Sequence, residues 1–269
     1  MTTHPNCKIN LGLQVTTRRA DGYHELQTIF LPVPLCDTLT IATAEHFEFT
    51  GSGIAIDCPD EQNICVKAYR LMQAEHPHIE PVHIHLDKHI PFGAGLGGGS
   101  SDAAHTLMML NELFNLGHTN VQLCDMAAQL GADCPFFVIN QPCFATGIGD
   151  QLKPLNIQAF NNSNIQTILL KPPVSVSTAD AYRGIVPHRS DTDLCKAIQQ
   201  PFETWRDTIV NDFEATVFKK YPIIGDLKQT LYNSGAVYAS MSGSGSAVFG
   251  LFKELPNESL PYEIYRGTL

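Results

Sequence analysis

The sequence predicts an α+β protein built as two domains, residues 1–155 forming the first and residues 156–269 the second. Three observations lead there. The chain of 269 residues is long enough for two modest cores. Strand-like and helix-like hydrophobic periods are mixed in both halves, not segregated. Between residues 140 and 165 the chain turns polar and rich in breakers, through Gln141-Pro142, Gly147-Ile148-Gly149-Asp150 and Asn161-Asn162-Ser163-Asn164, and a boundary belongs there.

Each element follows from its local pattern. Ile9, Leu11, Leu13 and Val15 alternate with Lys8, Asn10, Gly12 and Gln14, the period of a strand. This phase sets Lys8 and Asn10 side by side on the face away from the core. Asp21-Gly22 is a turn signal after Arg18 and Arg19, and residues 26–31 read as a second strand. Residues 63–75 read as a helix that His76-Pro77 stops. Residues 82–87 alternate cleanly, as a half-buried strand of a largely antiparallel or mixed sheet does. After a glycine-rich segment at 90–102 comes a helix with Ala103, Ala104, Leu107, Met108, Asn111 and Phe114 on one stripe. A further helix spans about 121–130 and stops at Gly131, and residues 134–139 form a buried apolar piece. In the second half, a strand at 165–171 precedes helices around Asp180, Cys195, Glu214 and Leu227. A strand through Tyr238 is separated from residues 247–252 by the Ser-Gly segment Ser242 to Ser246. No internal repeat is evident.

Composition narrows the class. Hydrophobic residues make up 43% and charged residues 16%, as in a packed globular chain. With 17 Lys+Arg against 27 Asp+Glu the net charge is −10, which argues against a nucleic-acid-coating role but leaves room for a small phosphorylated ligand in a local cradle. The eight cysteines contain no C-x-x-C pair, the start has no signal-peptide pattern, and no apolar run approaches the ~20 residues needed to span a bilayer. A cytoplasmic enzyme with free thiols, and no membrane or nucleic-acid partner, is the expectation.

The chemistry starts with glycine. Gly93, Gly95, Gly97, Gly98 and Gly99 fall within seven positions, too dense for a helix or strand at reasonable cost. Glycine lets backbone N–H groups turn inward as an anion nest, and Ser100, Ser101 and Asp102 then offer caps for a helix that starts at once. Such a loop running into a helix N-terminus is a phosphate site on physical grounds. A merely flexible surface loop would not lead straight into a strongly amphipathic helix. It is no P-loop, because Gly99 stands where that pattern requires Lys. Gly93, Gly95 and Gly98 satisfy the dinucleotide pattern G-x-G-x-x-G, with Glu112 near the place of a ribose-binding acid. Against it stand Pro91 and a preceding strand that carries His and Asp. A nicotinamide-binding oxidoreductase is the runner-up.

Two further clusters are ambiguous alone. Asp133, just past a helix end, is by default the cap of the next helix, and Lys8 is by default a solvated strand lysine. Together they change meaning: a buried Lys beside Asp keeps the carboxylate ionised and helps it take a proton from an alcohol. The segment Met241 to Phe249 repeats the pattern of backbone donors between two strands, and a plain serine-glycine loop fits it as well.

Three segments together resemble the GHMP small-molecule kinases: Lys8-Ile9-Asn10-Leu11-Gly12-Leu13, residues 91–104 and Ser242-Gly243-Ser244-Gly245-Ser246. Asp21-Gly22-Tyr23-His24-Glu25-Leu26 and Gly131-Ala132-Asp133-Cys134-Pro135 narrow the resemblance to a branch whose alcohol substrate carries a cytidine diphosphate. The match runs in order from about residue 5 to 252. It implies an S5-like N-terminal domain that binds ATP, a ferredoxin-like C-terminal domain and an active site in the cleft between them.

By the resemblance, Pro91, Phe92, Gly93, Ala94, Gly95, Leu96, Gly97, Gly98, Gly99, Ser100 and Ser101 wrap the triphosphate, and Asn63 and Val66 line the adenine pocket. Asp133 is the base on the substrate's 2-hydroxyl and Lys8 its charge partner. Asn10, Tyr23 and His24 hold the diphosphocytidyl end, Tyr23 by stacking and His24 by hydrogen bonding. Ser177, Thr178, Tyr182, Ser242 and Gly243 complete the substrate contacts. Mg²⁺ arrives with ATP and keeps several waters, there being no dedicated protein cage, with Ser101 no more than a candidate direct ligand. The expected product is a 2-phosphate plus ADP, in the non-mevalonate route to isoprenoids, made by a monomer or weak homodimer. A homoserine, mevalonate or sugar kinase would share the glycine segment, without reason to carry Asp21-Gly22-Tyr23-His24.

Overall fold

The predicted alternation and helical periods become twelve strands and nine helices in a computed structural model, which describes residues 1–160 and 164–269. In chain order these are β1 (Thr2–Thr3), β2 (Asn6–Arg18), β3 (His24–Cys36), β4 (Thr38–Thr43), β5 (Glu48–Gly53), α1 (Ile64–Glu75) and β6 (Val82–Lys88). Then come α2 (Gly98–Leu113), α3 (Asn120–Leu130), α4 (Cys134–Ile139), β7 (Cys143–Thr146), β8 (Gln151–Pro154) and β9 (Gln166–Leu170). The chain closes with α5 (Thr178–Tyr182), α6 (Leu194–Ala197), α7 (Trp205–Thr208), α8 (Glu214–Lys220), α9 (Pro222–Asn233), β10 (Tyr238–Met241), β11 (Val248–Phe252) and β12 (Glu263–Thr268).

These elements gather into two compact units that interleave along the chain. Met1–Cys7, Leu35–Phe92 and Gly97–Gln141 form the first; Lys8–Pro34, Gly93–Leu96 and Pro142–Leu269 form the second. The polar stretch at 140–165 contains one changeover, at Gln141 to Pro142, and also holds β7 and β8. Its Asn161-Asn162-Ser163 portion lies outside the described residues.

In the first unit the sheet runs β1-β4-β6-β5, with β4 antiparallel and β5 parallel to β6, the mixed sheet expected. Along β6, Val82, Ile84, Leu86 and Lys88 are buried and the residues between them half-buried, so a lysine occupies the apolar phase. Asn63 opens α1, its Oδ1 accepting from the Cys65 amide at 2.8 Å, and Thr119 with Gln122 closes a capping box on α3. Two expectations need correction. Gly98 and Gly99 lie inside α2, whose N-cap is Gly97, so Ser100, Ser101 and Asp102 sit in its first turns and make no cap. From Ser101 to Leu107 every residue of α2 is buried, so no single apolar stripe defines it. Residues 134–139 are the buried apolar piece expected, folded as a short helix with Asp133 at the N-cap and Pro135 in the first turn.

The second unit holds the sheets β2-β3-β7-β8 and β10-β11-β9-β12. Taken in chain order, the latter's strands lie 2-3-1-4 with every neighbour antiparallel, the order of a ferredoxin-like sheet. Residues 253–262 link β11 to β12 without the second crossover helix of that pattern. Leu13, Val15 and Leu26 from the first of these sheets share one core with Ile168, Leu170, Phe213, Val217, Leu231 and Phe252. The face of β2 expected to point away from the core is buried too: Lys8 and Asn10 are only 3% and 2% exposed. Other chain segments cover it, the Leu13 amide donating to Val210 O at 2.9 Å and Gln14 to Thr192 O at 3.0 Å.

Candidate active site

Lys8, on β2, donates from Nζ to Asn10 Oδ1 at 2.7 Å and to the Gly95 carbonyl at 3.0 Å, and lies 4.9 Å from the centre of the Phe30 ring. Asn10 in turn donates to Thr28 Oγ1 at 3.0 Å. Ser242 Oγ donates to the same Gly95 carbonyl at 2.9 Å. Backbone bonds reinforce the meeting, from Lys8 N to Leu96 O at 2.9 Å and from Ala247 N to Ala94 O at 3.0 Å. Parts of all three motifs are thus joined within the second unit. Gly95 is required where it stands: its φ is +75°, and a Cβ there would fall 1.9 Å from the Ser242 carbonyl oxygen. Sequence reasoning missed Asn211. It is buried, and its Nδ2 holds the Ser-Gly segment by donating to Met241 O at 2.9 Å and Gly243 O at 2.8 Å.

Gly93, Gly95 and Gly97 alternate in the left-handed region, at φ of 58°, 75° and 70°. That backbone turns successive N–H groups to one side, and the first amides of α2 follow, without intrahelical acceptors. In the first unit the start of α2 rests on a buried charge cluster that the sequence did not disclose. Lys88 bonds to Asp37 and, at 2.7 Å, to Asp102. Asp37 Oδ1 also accepts the amides of His89 at 2.6 Å and Ile90 at 2.8 Å, which fixes the entry to the glycine segment. Asp102 Oδ1 has no hydrogen-bond partner. Burial first, and the Asp37 charge next, push Asp102 up to about 8, against the pull of Lys88.

The remaining residues singled out from sequence are placed as follows. In the first unit Phe92 is 46% exposed, Asn63 spends its side-chain oxygen on the α1 cap and Val66 is fully buried. Ser101 is buried beside His105, with Oγ 3.4 Å from Nδ1, and burial pushes the Cys134 thiol up to about 11, against a smaller pull from the Ser100 side chain. Asp133 is half-buried and makes no side-chain capping bond to α4, so the default role as a cap lacks its interaction. In the second unit Tyr23 is 63% exposed on the β2–β3 turn. His24 stacks on Tyr182, centroids 4.7 Å apart and planes 19° apart, and Tyr182 stands edge-on to Phe213. Thr178 opens α5, where Ser177 Oγ accepts from the Asp180 amide. Two residues chosen from distant segments, His24 and Tyr182, therefore share one aromatic patch.

The GHMP kinases N terminal domain model matches residues 63–141 and the GHMP kinases C terminal model residues 194–266. A 4-diphosphocytidyl-2-C-methyl-D-erythritol kinase of Bacteroides fragilis is 48% identical over 264 residues, covering 97% of this chain and 94% of the relative. The chain belongs to the 4-diphosphocytidyl-2-C-methyl-D-erythritol kinase family of GHMP kinases. A relative of the same name in Parabacteroides distasonis is 46% identical over 94% of this chain and 92% of its own length. The crystal structure of a 4-(cytidine 5'-diphospho)-2C-methyl-D-erythritol kinase matches with a TM-score of 0.80 at 33% identity, over 93% of this chain and 90% of that one. The mevalonate kinase of Methanococcus jannaschii shares the fold, with a TM-score of 0.68 at 14% identity.

GHMP kinases are ATP-dependent small-molecule kinases, and the chain is an enzyme of that class. The oxidoreductase alternative falls. A doubly wound dinucleotide fold needs a parallel sheet, and among the described residues the paired strands are antiparallel except β5 with β6. Glu112, its proposed ribose ligand, is an exposed residue near the end of α2. No helix of the described residues is long and apolar enough to cross a membrane.

Proposed function

We propose that this kinase transfers the γ-phosphoryl group of ATP to the 2-hydroxyl of 4-diphosphocytidyl-2-C-methyl-D-erythritol, giving the 2-phosphate and ADP in the non-mevalonate route to isoprenoid precursors. The observation that carries the reading is the single network joining Lys8, Asn10, Gly95 and Ser242 in a chain 48% identical to relatives of that name. Phosphoryl transfer has a loose transition state, so positioning and charge stabilisation dominate. The glycine segment from Pro91 to Ser101 supplies amides and a helix N-terminus for the phosphates, and Asn63 and Val66 mark the adenine end. Asp133 takes the proton of the 2-hydroxyl, and Lys8 stabilises the charge that moves there. The stacked pair His24 and Tyr182, with Tyr23, receives cytosine, while Asn10, Thr178, Ser242 and Gly243 orient the diphosphate and polyol.

Residues 1–155 serve as the ATP-binding half and residues 156–269 as its partner; the two family matches fall on either side of that division. Mg²⁺ accompanies ATP and, when bound, neutralises phosphate charge. Such a hard cation takes oxygen ligands. Ser101 is buried against His105 and Asp102 faces Lys88, so the chain fits a cation carried by the phosphates and water more than one held in a protein cage. The enzyme works in the reducing cytoplasm as a monomer or weak homodimer.

A coupled ADP-release assay tests the assignment. Turnover is expected with the cytidyl substrate and not with homoserine, mevalonate or galactose; turnover confined to one of the latter would overturn it.

A further inference from the structure

We propose that Glu75, His76 and His118 form a site for one divalent transition-metal ion of the zinc type, independent of the kinase reading. The site sits at the opposite end of α1 from Asn63, about 18 Å away along a helix of this length. His76 Nε2 and His118 Nε2 face each other at 2.7 Å, Glu75 Oε1 lies 3.8 Å from His118 Nε2, and all three ligand atoms fall within 4.8 Å of one another. Ligands at about 2.0–2.1 Å around a tetrahedral zinc lie roughly 3.3 Å apart. The first two separations straddle that value and need shifts of less than an ångström, and rotation of the exposed Glu75 side chain closes the third.

The donors are pre-positioned. The His76 amide closes α1 on Met72 O at 2.9 Å, and Asn111 grips His118 at both backbone groups, accepting its amide at 2.9 Å and donating to its carbonyl at 3.1 Å. Only 6% of the His118 side chain is exposed. Without metal, one ring donates an N–H to the other's lone pair. With metal, both Nε2 lone pairs point at the ion once each neutral ring carries its proton on Nδ1. Glu75 and His76 also line a pocket with His78, Ile79, Phe114 and Leu116, from which a water would take the fourth position. Two imidazoles and one carboxylate suit Zn²⁺, Co²⁺ or Ni²⁺ and do not suit Mg²⁺. The ion would tie the end of α1 to the segment between α2 and α3, a clip within the first unit that acts on stability.

The test uses the full chain stripped by chelator. Zn²⁺ is titrated by calorimetry and Co²⁺ by its visible spectrum, with Mg²⁺ as competitor. One equivalent is expected to bind, to raise the thermal midpoint and to resist Mg²⁺. His76→Gln and His118→Gln should each lose at least about tenfold in affinity. His85→Gln should bind as the wild type does; His83 and His85 share the Thr50 hydroxyl as a separate imidazole pair and serve as the control. Undiminished binding in natively folded His76→Gln and His118→Gln overturns the proposal, as does binding lost in His85→Gln instead, or no binding to the wild type. If His118→Gln does not fold, Glu75→Ala at the exposed carboxylate decides: weaker binding supports the site and equal binding overturns it.

Discussion

Asp102→Asn should flatten the pH dependence of stability in the first unit. Lys88 stands between two buried carboxylates, and they are not equivalent. Asp37 collects the amides of His89 and Ile90 besides Lys88, whereas Asp102 Oδ1 has no partner. The proton therefore belongs on Asp102, pushed up from 3.8 to about 8. The unfolded chain releases that proton near its ordinary value, and the native chain holds it until about pH 8. Between those limits the native state binds more protons than the unfolded one, so stability falls as pH rises, and the fall ends once pH passes the native value. Each pH step of one inside that window removes about 1.4 kcal/mol, so the interval from about pH 5.5 to about pH 8 removes up to about 3 kcal/mol. Asn copies the neutral acid and does not titrate. Wild type minus Asp102→Asn should thus change by up to that amount across the window, the variant being the more stable at the alkaline end.

The assay is urea unfolding followed by far-ultraviolet circular dichroism at the two pH values, because the lone Trp205 lies in the second unit and its fluorescence reports the wrong place. Lys88→Met supplies the contrast: it removes the cation that both Asp37 and the protonated Asp102 bond, and should cost about 3–5 kcal/mol near neutrality. The reasoning is refuted if wild type and Asp102→Asn lose stability equally across the window, or if Asp102→Asn is already several kcal/mol weaker at the acid end, since both would mean an ionised Asp102.

Other substitutions test the active-site reading. Gly95→Ala forces a Cβ onto the Ser242 carbonyl at a positive φ and should cost at least about 2 kcal/mol, with ADP release collapsing; thermal midpoint and turnover are the readouts. Tyr23→Ala should raise the KM for the cytidyl substrate by the equivalent of ~1–3 kcal/mol and leave that for ATP nearly unchanged, as steady-state kinetics with each substrate varied will tell. Asp133→Asn should lower kcat roughly 10²–10⁴-fold with an unchanged unfolding midpoint, and its combination with Lys8→Met should lose much less than the sum; a near-wild-type rate for Asp133→Asn ends its role as base.

What can be read from the sequence shares a physical character. Turns, the helix ends at Asn63 and Gly131, and the glycine segment are set by backbone demands that a few neighbouring residues declare. Strands such as β5, with the sequence Glu-Phe-Thr-Gly-Ser-Gly, escape because pairing with β6 and not local propensity holds them. The pattern for β12 is similarly silent, its place fixed by pairing with β9 from almost a hundred residues earlier. The alternation in β2 is right in period and misleading in consequence, since period tells which residues share a face and not whether that face meets water.

The two buried lysines make the same point for the site. Lys8 stands out in the sequence because its motif neighbours are glycine and asparagine, residues whose spacing carries meaning on its own. Lys88 does not, although it is the more deeply buried and continues the apolar phase of Val82, Ile84 and Leu86 to the end of β6. Its partners, Asp37 and Asp102, lie 51 and 14 residues away, and no local pattern links them. A lysine on the buried phase of a strand is nevertheless a signal in its own right, because a lone buried ammonium is too costly to persist unpaired. It demands carboxylates somewhere in the chain. Asp102, in a helix segment otherwise made of glycine, serine and alanine, reads locally as nothing more than a cap. The structure gives that carboxylate a different task, fixing the first turns of α2 to Lys88, while the other carboxylate fixes the amides at the entry to the glycine segment. Residues that shape this segment are therefore of two kinds: glycines that allow its backbone conformation, visible in one dimension, and a charge cluster that holds it, visible only in three.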